Sequence, residues 1–183
     1  MAIQPRGTKG FRSPSAALRS SPDAGYNFVM LVTLSLADEA ATADLARRLA
    51  TAARAGDVIA LEGDLGAGKS SLARAFIRHL AGEDEDVPSP TFTLVQTYDC
   101  AAGTIWHFDL YRLEKPEDAL ELGIEEAFAE GVCLIEWPDR LGPWLPPGRL
   151  ILRLSAGDRE TSRRVELVGA KPWNDRLVEM FGE

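Results

Sequence analysis

The sequence predicts an α/β fold in which a mixed sheet is flanked by helices, with antiparallel strands in the N-terminal and C-terminal parts of the chain. An apolar run at 58–61 precedes the glycine-rich stretch 63–70, and a segment with helical periodicity follows it. Three further segments alternate apolar and polar residues, as strands with one solvated face do: 31–36, 149–154 and 164–168. Together these patterns predict a parallel unit that is extended by antiparallel strands.

The composition is that of a soluble globular protein. The chain has 183 residues, of which 45% are hydrophobic and 26% charged, and its formal net charge is −8. Direct binding to nucleic acid depends on neutralising phosphates with Lys and Arg, so this acidic chain is expected to meet nucleic acid only through a partner. No apolar run approaches the length of a membrane span, and no membrane partner is expected.

Residues 1–29 differ from the rest of the chain. They are rich in Ser, Pro, Gly and Arg without periodicity, which predicts a disordered tail. The nearly acid-free composition is also that of a transit peptide, and Met30 is an alternative start. Residues 30–183 are expected to form one domain. The two cysteines, Cys100 and Cys133, show no metal-binding spacing, and the expected compartment is the reducing cytoplasm.

The elements of the first half follow from alternation, capping and glycine signals. They are a strand at 31–36, a helix at 39–54 capped by Asp38, a strand at 57–62, and a helix from the glycine-rich loop to about residue 81. An acidic loop comes next. The prolines in 87–90 then exclude a helix and predict an extended connection.

The second half is predicted to contain most of the strands. Strands are expected at 91–98, 104–110, 131–137, 149–154 and 164–168, with the apolar strand 131–137 near the centre of the sheet. Helices are expected at 114–122 and 174–181, and the proline-rich stretch 138–147 is expected to be a loop. No internal repeats are present in the sequence.

The stretch 63–70 fits the pattern G-x-x-x-x-G-K-[ST] of the P-loop, and its strand and helix flanks are those the motif requires. Glycines allow the backbone to turn its N–H groups inward around phosphate oxygens. Lys69 is expected to reach the β- and γ-phosphates and the Ser70 hydroxyl to bind Mg²⁺. The sequence thus predicts a P-loop NTPase-like domain that binds a nucleoside triphosphate and Mg²⁺. Its nucleotide-binding residues are Gly63, Asp64, Leu65, Gly66, Ala67, Gly68, Lys69, Ser70 and Ser71.

Two acids end predicted strands, where the carboxylates that serve a metal and water shell usually lie. Asp109 follows Trp106-His107-Phe108, and Glu136 follows Val132-Cys133-Leu134-Ile135. Each could instead cap a turn. Ser89 and Thr91 lie between the loop helix and the next strand, where a triphosphate-sensing threonine is expected, although turn chemistry also explains them.

Three further side chains are weaker candidates. Trp137 follows Glu136 and could stack on the nucleotide base or belong to the core. His107 could be a surface contact or support the site from behind. Arg112 is the nearest candidate for an arginine finger, three residues after Asp109.

The motifs form a set. The set is Gly-Asp-Leu-Gly-Ala-Gly-Lys-Ser at 63–70, Ser-Pro-Thr-Phe at 89–92, His-Phe-Asp-Leu-Tyr-Arg at 107–112 and Ile-Glu-Trp-Pro-Asp-Arg at 135–140. In this order and spacing it resembles the TsaE family, an ATPase subunit of the machinery for the tRNA modification threonylcarbamoyladenosine. The resemblance covers about residues 31–160. No motif match is found before Met30 or after about residue 160.

The resemblance implies a role for each matched residue. Lys69 and Ser70 serve the triphosphate and Mg²⁺, Asp109 and Glu136 are acidic residues near the metal, and Thr91 is the switch threonine. Trp137 corresponds to a tryptophan close to the nucleotide. The catalytic set is therefore Lys69, Thr91, Asp109 and Glu136, and the metal set is Ser70, Asp109 and Glu136.

The resemblance also implies TsaD and TsaB proteins as partners, with ATP hydrolysis resetting their complex and tRNA reached indirectly. Two other functions remain open. One is a nucleotide-gated assembly module, in which ATP orders residues 82–92 and hydrolysis is incidental. The other is a small-molecule kinase, which the sequence disfavours because the 138–149 loop offers only Arg140 and Arg149 as lid arginines.

Overall fold

The computed structural model describes residues 15–20, 28–101 and 103–182. Their strands form one mixed sheet of eight strands in the order β1-β2-β8-β7-β3-β6-β5-β4. The strands are β1 Ser15–Ser20, β2 Phe28–Leu36, β3 Val58–Glu62, β4 Val95–Cys100, β5 Gly103–Asp109, β6 Val132–Glu136, β7 Leu150–Ala156 and β8 Arg163–Gly169. The predicted α/β class with a mixed sheet is confirmed.

The centre of the sheet is parallel and both sides are antiparallel. Strands β7, β3, β6 and β5 run parallel to one another. The antiparallel pairs are β1–β2, β2–β8, β7–β8 and β4–β5. The parallel strands are joined by helical crossovers, whereas β7 and β8 are joined by a short turn, as each type of pairing requires.

Helices cover both faces of the sheet. They are α1 Glu39–Ala52, α2 Lys69–Ala81, α3 Ile124–Glu130 and α4 Trp173–Phe181, with 3₁₀ helices at Pro116–Leu122 and Pro138–Trp144. Alternate residues of a strand belong to different cores: Leu134 belongs to the core that includes residues of α1, α2 and α4, whereas Cys133 and Ile135 belong to the core that includes residues of α3 and the 3₁₀ helices. A strand buried on both faces is therefore mostly apolar, and in β6 all residues before the final Glu136 are apolar.

The helix boundaries follow from local chemistry. The Asp38 side chain accepts a hydrogen bond from Ala41 N at 2.9 Å, which confirms it as the N-cap of α1. No helix of the described ranges is long and apolar enough to cross a membrane.

Four expectations about elements are corrected. The strand predicted at 91–98 begins only at Val95, because residues 91–94 form a turn closed by Leu94 N donating to Pro90 O at 2.7 Å. The helix predicted at 114–122 is a 3₁₀ helix that begins at Pro116. Helix α3 was not predicted, since its seven residues give too short a periodic pattern. The predicted loop 138–147 contains a 3₁₀ helix.

The predicted disordered tail also differs from the structure in part. Residues Ser15–Ser20 form β1, which pairs antiparallel with β2 at the edge of the sheet. Edge pairing uses backbone groups and needs no hydrophobic alternation, so the sequence pattern gave no sign of it. Residues 1–14 and 21–27 lie outside the described residues.

The two thiols are expected to differ in reactivity. Cys133 is fully buried on β6, and burial raises the pKa of its thiol to about 12, whereas Cys100 is partly exposed at the end of β4. At about pH 8 the folded protein should therefore react with one equivalent of a thiol reagent, and with a second only after unfolding. Absorbance of the released chromophore measures this. Rapid reaction of the folded Cys100→Ser variant would contradict the burial of Cys133.

Candidate nucleotide-binding site

The candidate site lies at the carboxyl edge of the parallel strands. The P-loop follows β3, while Glu136 ends β6 and Asp109 ends β5. The strand register sets Glu136 beside Leu61 on one side and beside Asp109 on the other. Three segments that are far apart in sequence thus meet where ligands bind in open α/β sheets.

The P-loop has the conformation that its glycines permit. Gly63 has φ = +142° and Gly68 has φ = +105°, both of which side chains disfavour. A Cβ built on Gly63 would lie 2.4 Å from Leu154 O of β7, so glycine also allows the loop to approach the neighbouring strand. Helix α2 begins directly at Lys69, which brings its free N–H groups to the loop. This arrangement provides donors for an anion.

Lys69 is buried beneath the loop. Its Nζ donates to Gly63 O at 2.6 Å and to Asp64 O at 2.9 Å. Burial lowers the pKa of this amine below its usual 10.5, and the charges of Glu136 and Asp109 oppose that shift. In the folded protein the Lys69 ammonium is thus hydrogen-bonded to carbonyl oxygens of its own loop instead of to water.

Glu136 is held from two sides. The Ser70 hydroxyl donates to Glu136 Oε2 at 2.9 Å, and His107 Nε2 lies 3.0 Å from Glu136 Oε1. An ionised carboxylate only accepts hydrogen bonds, so Nε2 carries the proton in this contact. The buried Nδ1 of His107 has no hydrogen-bond partner within the described ranges. His107 is therefore not a surface contact: it is buried and holds Glu136 from outside the lining of the cleft.

Asp109 connects the site to the turn at 91–94. The Thr91 hydroxyl donates to Asp109 Oδ2 at 2.8 Å, and Ser89 Oγ lies 2.8 Å from Thr91 Oγ1. The other carboxylate oxygen, Oδ1, accepts from Tyr111 N at 3.1 Å. The predicted switch threonine thus contacts one of the two predicted acids directly.

Trp137 lies beside the lysine of the loop. It has φ = +57°, so the chain turns sharply at the end of β6. Its ring centroid is 4.1 Å from Lys69 Nζ and 5.0 Å from the ring centroid of Tyr111. The ring therefore shields the buried ammonium through a cation–π contact. Stacking of Trp137 on a base stays a prediction.

The candidate site contains a cleft of about 350 Å³. Most predicted site residues line it: Leu65, Gly66, Gly68, Lys69, Ser70, Ser71, Thr91, Asp109 and Glu136. Arg112 is not among the lining residues, because its guanidinium packs on the Phe92 ring at 4.7 Å.

Two lining residues were missed by sequence reasoning, Tyr111 and Arg163. Tyr111 lies two residues after Asp109 inside the motif His-Phe-Asp-Leu-Tyr-Arg, so its place in that motif could have indicated that it lines the cleft. Arg163 begins β8, in the stretch where no motif was found, and no sequence signal indicates its approach to the loop.

The oxygen atoms of the cleft suit a small divalent cation. The Ser70 hydroxyl donates a hydrogen bond to Glu136, so the lone pairs of the Ser70 oxygen are free to bind a cation. The described ranges contain no group of three or more His, Cys, Asp or Glu side chains arranged for a metal. A Mg²⁺ ion here would therefore use Ser70 and the two acids together with phosphate oxygens and water, as is usual for this cation.

Comparison with known proteins gives consistent matches. The family model described as "Threonylcarbamoyl adenosine biosynthesis protein TsaE" matches residues 36–165. A tRNA threonylcarbamoyladenosine biosynthesis protein TsaE from Rickettsia felis is 43% identical over 125 residues, which cover 68% of this chain and 73% of that protein. The Bacillus subtilis protein of the same name is 40% identical over 130 residues, which cover 70% of this chain and 80% of that protein.

A solved structure agrees with these matches. The crystal structure of Bacillus subtilis YdiB has a TM-score of 0.69 to this fold at 30% identity, covering 84% of this chain and 95% of that one. The family model spans the P-loop, the turn at 91–94 and both acids, so the match includes the whole predicted catalytic set. The resemblance inferred from the motifs is confirmed, and the chain belongs to the TsaE family.

Proposed function

We propose that this protein is a Mg²⁺-dependent ATPase of tRNA threonylcarbamoyladenosine biosynthesis, in which hydrolysis supports turnover of a TsaD–TsaB complex. The observation that carries the proposal is the meeting of Lys69, Ser70, Asp109 and Glu136 at one cleft at the carboxyl edge of the sheet. This combination supplies a phosphate cradle, a cation ligand and two proton acceptors, which are the parts that phosphoryl transfer to water requires.

Each residue has a distinct task in the proposed reaction. The Lys69 ammonium exchanges its two loop carbonyls for β- and γ-phosphate oxygens, and the loop N–H groups hold the remaining oxygens. Glu136 and Asp109 accept hydrogen bonds from the attacking water and from waters around the cation, and His107 keeps the Glu136 carboxylate oriented. A bound Mg²⁺ would neutralise charge on the phosphates.

A partner is expected to cover the cleft. Leu65 at the loop tip is 89% exposed and Phe92 in the 91–94 turn is 82% exposed. Leu65 and the half-exposed Tyr111 line the cleft, and Phe92 directly follows Thr91, which also lines it. Such large apolar side chains around one opening are typical of interaction surfaces. Because the chain is acidic, contact with tRNA is assigned to the partners.

A nucleotide-gated assembly module is the second candidate. The hydrogen bonds from Ser89 to Thr91 and from Thr91 to Asp109 favour it, since they tie the exposed turn to the cleft. A nucleotide that displaces Asp109 from Thr91 would rearrange the turn and change what a partner encounters there. In this second candidate function, the presence of bound nucleotide, and not its hydrolysis, controls the partner.

The direct test is ATP hydrolysis with and without purified TsaD and TsaB proteins. The isolated protein should hydrolyse ATP slowly, and the partners should raise kcat roughly tenfold or more, because they complete and dehydrate the site. Phosphate release in a coupled assay measures the rate. Fast hydrolysis that the partners leave unchanged would argue against the proposed coupling.

Two substitutions separate binding from hydrolysis. Lys69→Ala should weaken ATP binding roughly 10- to 100-fold, because charge-assisted hydrogen bonds to phosphate are lost. Glu136→Gln should keep ATP affinity within about threefold and lower hydrolysis roughly 100-fold, since a proton acceptor is lost. Calorimetry gives the affinity and phosphate release gives the rate.

Glu62→Gln is the matched control. Glu62 ends the neighbouring strand β3, and its carboxylate faces Arg153 at the surface at 2.8 Å, so both measurements should stay unchanged. If Glu136→Gln abolishes hydrolysis and still supports repeated rounds of tRNA modification, the assembly module replaces the ATPase as the function.

Phe92→Ser tests the proposed contact surface. Its ring is exposed and outside the cleft lining, so the substitution should reduce stimulation by the partners roughly fivefold or more while hydrolysis by the isolated protein stays unchanged. Val178→Ser is the control, because Val178 is 44% exposed on α4, away from the cleft. Equal stimulation of Phe92→Ser and the unsubstituted protein would place the partner elsewhere.

A further inference from the structure

Arg163 fastens the P-loop to the hairpin formed by β7 and β8. Its Nε donates to Ala67 O at 3.1 Å across 96 residues of sequence. The same guanidinium is fixed at its other end, where Nη1 donates to Glu160 O and Ser162 O, each at 2.8 Å. The Arg163 side chain therefore connects the turn of the hairpin to the Ala67 carbonyl of the P-loop.

The bond to Ala67 determines where the next amide points. The peptide between Ala67 and Gly68 is trans, because the cis bond found among the described residues is Lys171–Pro172. In a trans peptide the C=O and the following N–H point in opposite directions. With the Ala67 carbonyl directed to Arg163, the Gly68 N–H is directed away from that guanidinium. Gly68 and Arg163 both line the cleft, so a phosphate on the Lys69 and Ser70 side of the loop, away from the guanidinium, could accept from this N–H.

This peptide needs a constraint from outside the loop. Gly68 has φ = +105°, and a glycine at this place lets the peptide plane rotate at little cost. The preceding peptide is fixed within the loop, since Ala67 N donates to Asp64 O at 3.1 Å. For the 67–68 peptide, the bond to its carbonyl in the described structure comes from Arg163.

We propose that Arg163 is a positioning residue that fixes the 67–68 peptide plane so that the Gly68 N–H donates to a phosphate of the bound nucleotide. The inference rests on the proposed function, because it concerns the same phosphate site. It assigns to the C-terminal hairpin a direct part in shaping the P-loop. The residues proposed for catalysis and cation binding are unchanged by it.

Two substitutions at this position separate positioning from charge. In Gln the amide nitrogen occupies the same place along the side chain as Nε of Arg, so Arg163→Gln keeps a donor for Ala67 O and removes the charge. Arg163→Met has a similar length and removes both. A positioning role therefore predicts that Gln largely rescues what Met loses. A direct charge contact with phosphate predicts that both substitutions fail equally.

The experiment measures the binding of MgADP and of inorganic pyrophosphate by calorimetry. Arg163→Met should weaken both roughly tenfold, the size of one hydrogen bond to a charged group, and Arg163→Gln should stay within about threefold of the unsubstituted protein. Arg164→Met is the control. Arg164 is the adjacent residue, its side chain is 59% exposed, and its loss removes the same charge.

A second measurement reports on the amide itself. In protein labelled with ¹⁵N-glycine, pyrophosphate should shift the Gly68 N–H resonance downfield, and this shift should be lost in Arg163→Met and kept in Arg163→Gln. Unfolding temperatures of all variants show whether a loss of binding follows from a loss of folding. The Gly68 shift in the Gln variant distinguishes positioning from general stabilisation.

The outcomes separate this inference from the proposed function. If the unsubstituted protein binds MgADP and Lys69→Ala does not, the nucleotide site stands whatever Arg163 does. Normal binding by Arg163→Met, equal loss in Met and Gln, or an equal loss in Arg164→Met would each overturn the positioning role. If the unsubstituted protein binds neither ligand, the proposed function fails and the inference fails with it.

Discussion

The parallel pairing of β3, β6 and β5 is the constraint on which the site depends. Its register sets Glu136 beside Asp109 on one side and, on the other, beside Leu61 of the strand that leads into the P-loop. A slip of one residue would turn Glu136 to the opposite face of the sheet, because successive side chains alternate between faces. The apolar residues of β6 are buried on both faces, so the same slip would also exchange the two cores. Hydrophobic packing thus sets the two carboxylates of the candidate site side by side.

The polar groups that this register gathers satisfy one another. Glu136 accepts from Ser70, Asp109 accepts from Thr91, and Lys69 donates to its own loop. If these groups were buried without partners, the fold would lose about 1–3 kcal/mol of stability for each neutral group and more for each charged group. The same atoms are the ones that a nucleotide and a cation would engage, so binding exchanges one satisfied set of hydrogen bonds for another.

The sequence predicted what depends on local pattern. The P-loop, the flanking strand and helix, and both acids at strand ends follow from residue types within a few positions, and the structure has them at those places. The turn at 91–94 was missed because its Thr-rich alternation is that of a strand, and two of the bonds that hold it come from distant Asp109, which bonds Thr91 and Leu94 O. Edge strand β1 pairs through backbone groups, which leave no hydrophobic pattern.

The C-terminal hairpin shows why sequence motifs alone gave an incomplete site. It carries no recognisable motif, yet Leu154 O faces the Cα of Gly63, and Arg163 holds the Ala67 carbonyl. The amides of the P-loop are therefore arranged by its own glycines, whereas β7 and β8, more than eighty residues later in the chain, contact the loop through Leu154 and Arg163. Glycines allow the required backbone angles but do not select them, since they permit many others. Hydrogen bonds narrow the choice: Ala67 N donates to Asp64 O inside the loop, and the hairpin in the antiparallel half of the sheet adds the bond from Arg163 to Ala67 O. The antiparallel strands that distinguish this sheet from a purely parallel one thus contact the candidate nucleotide site directly.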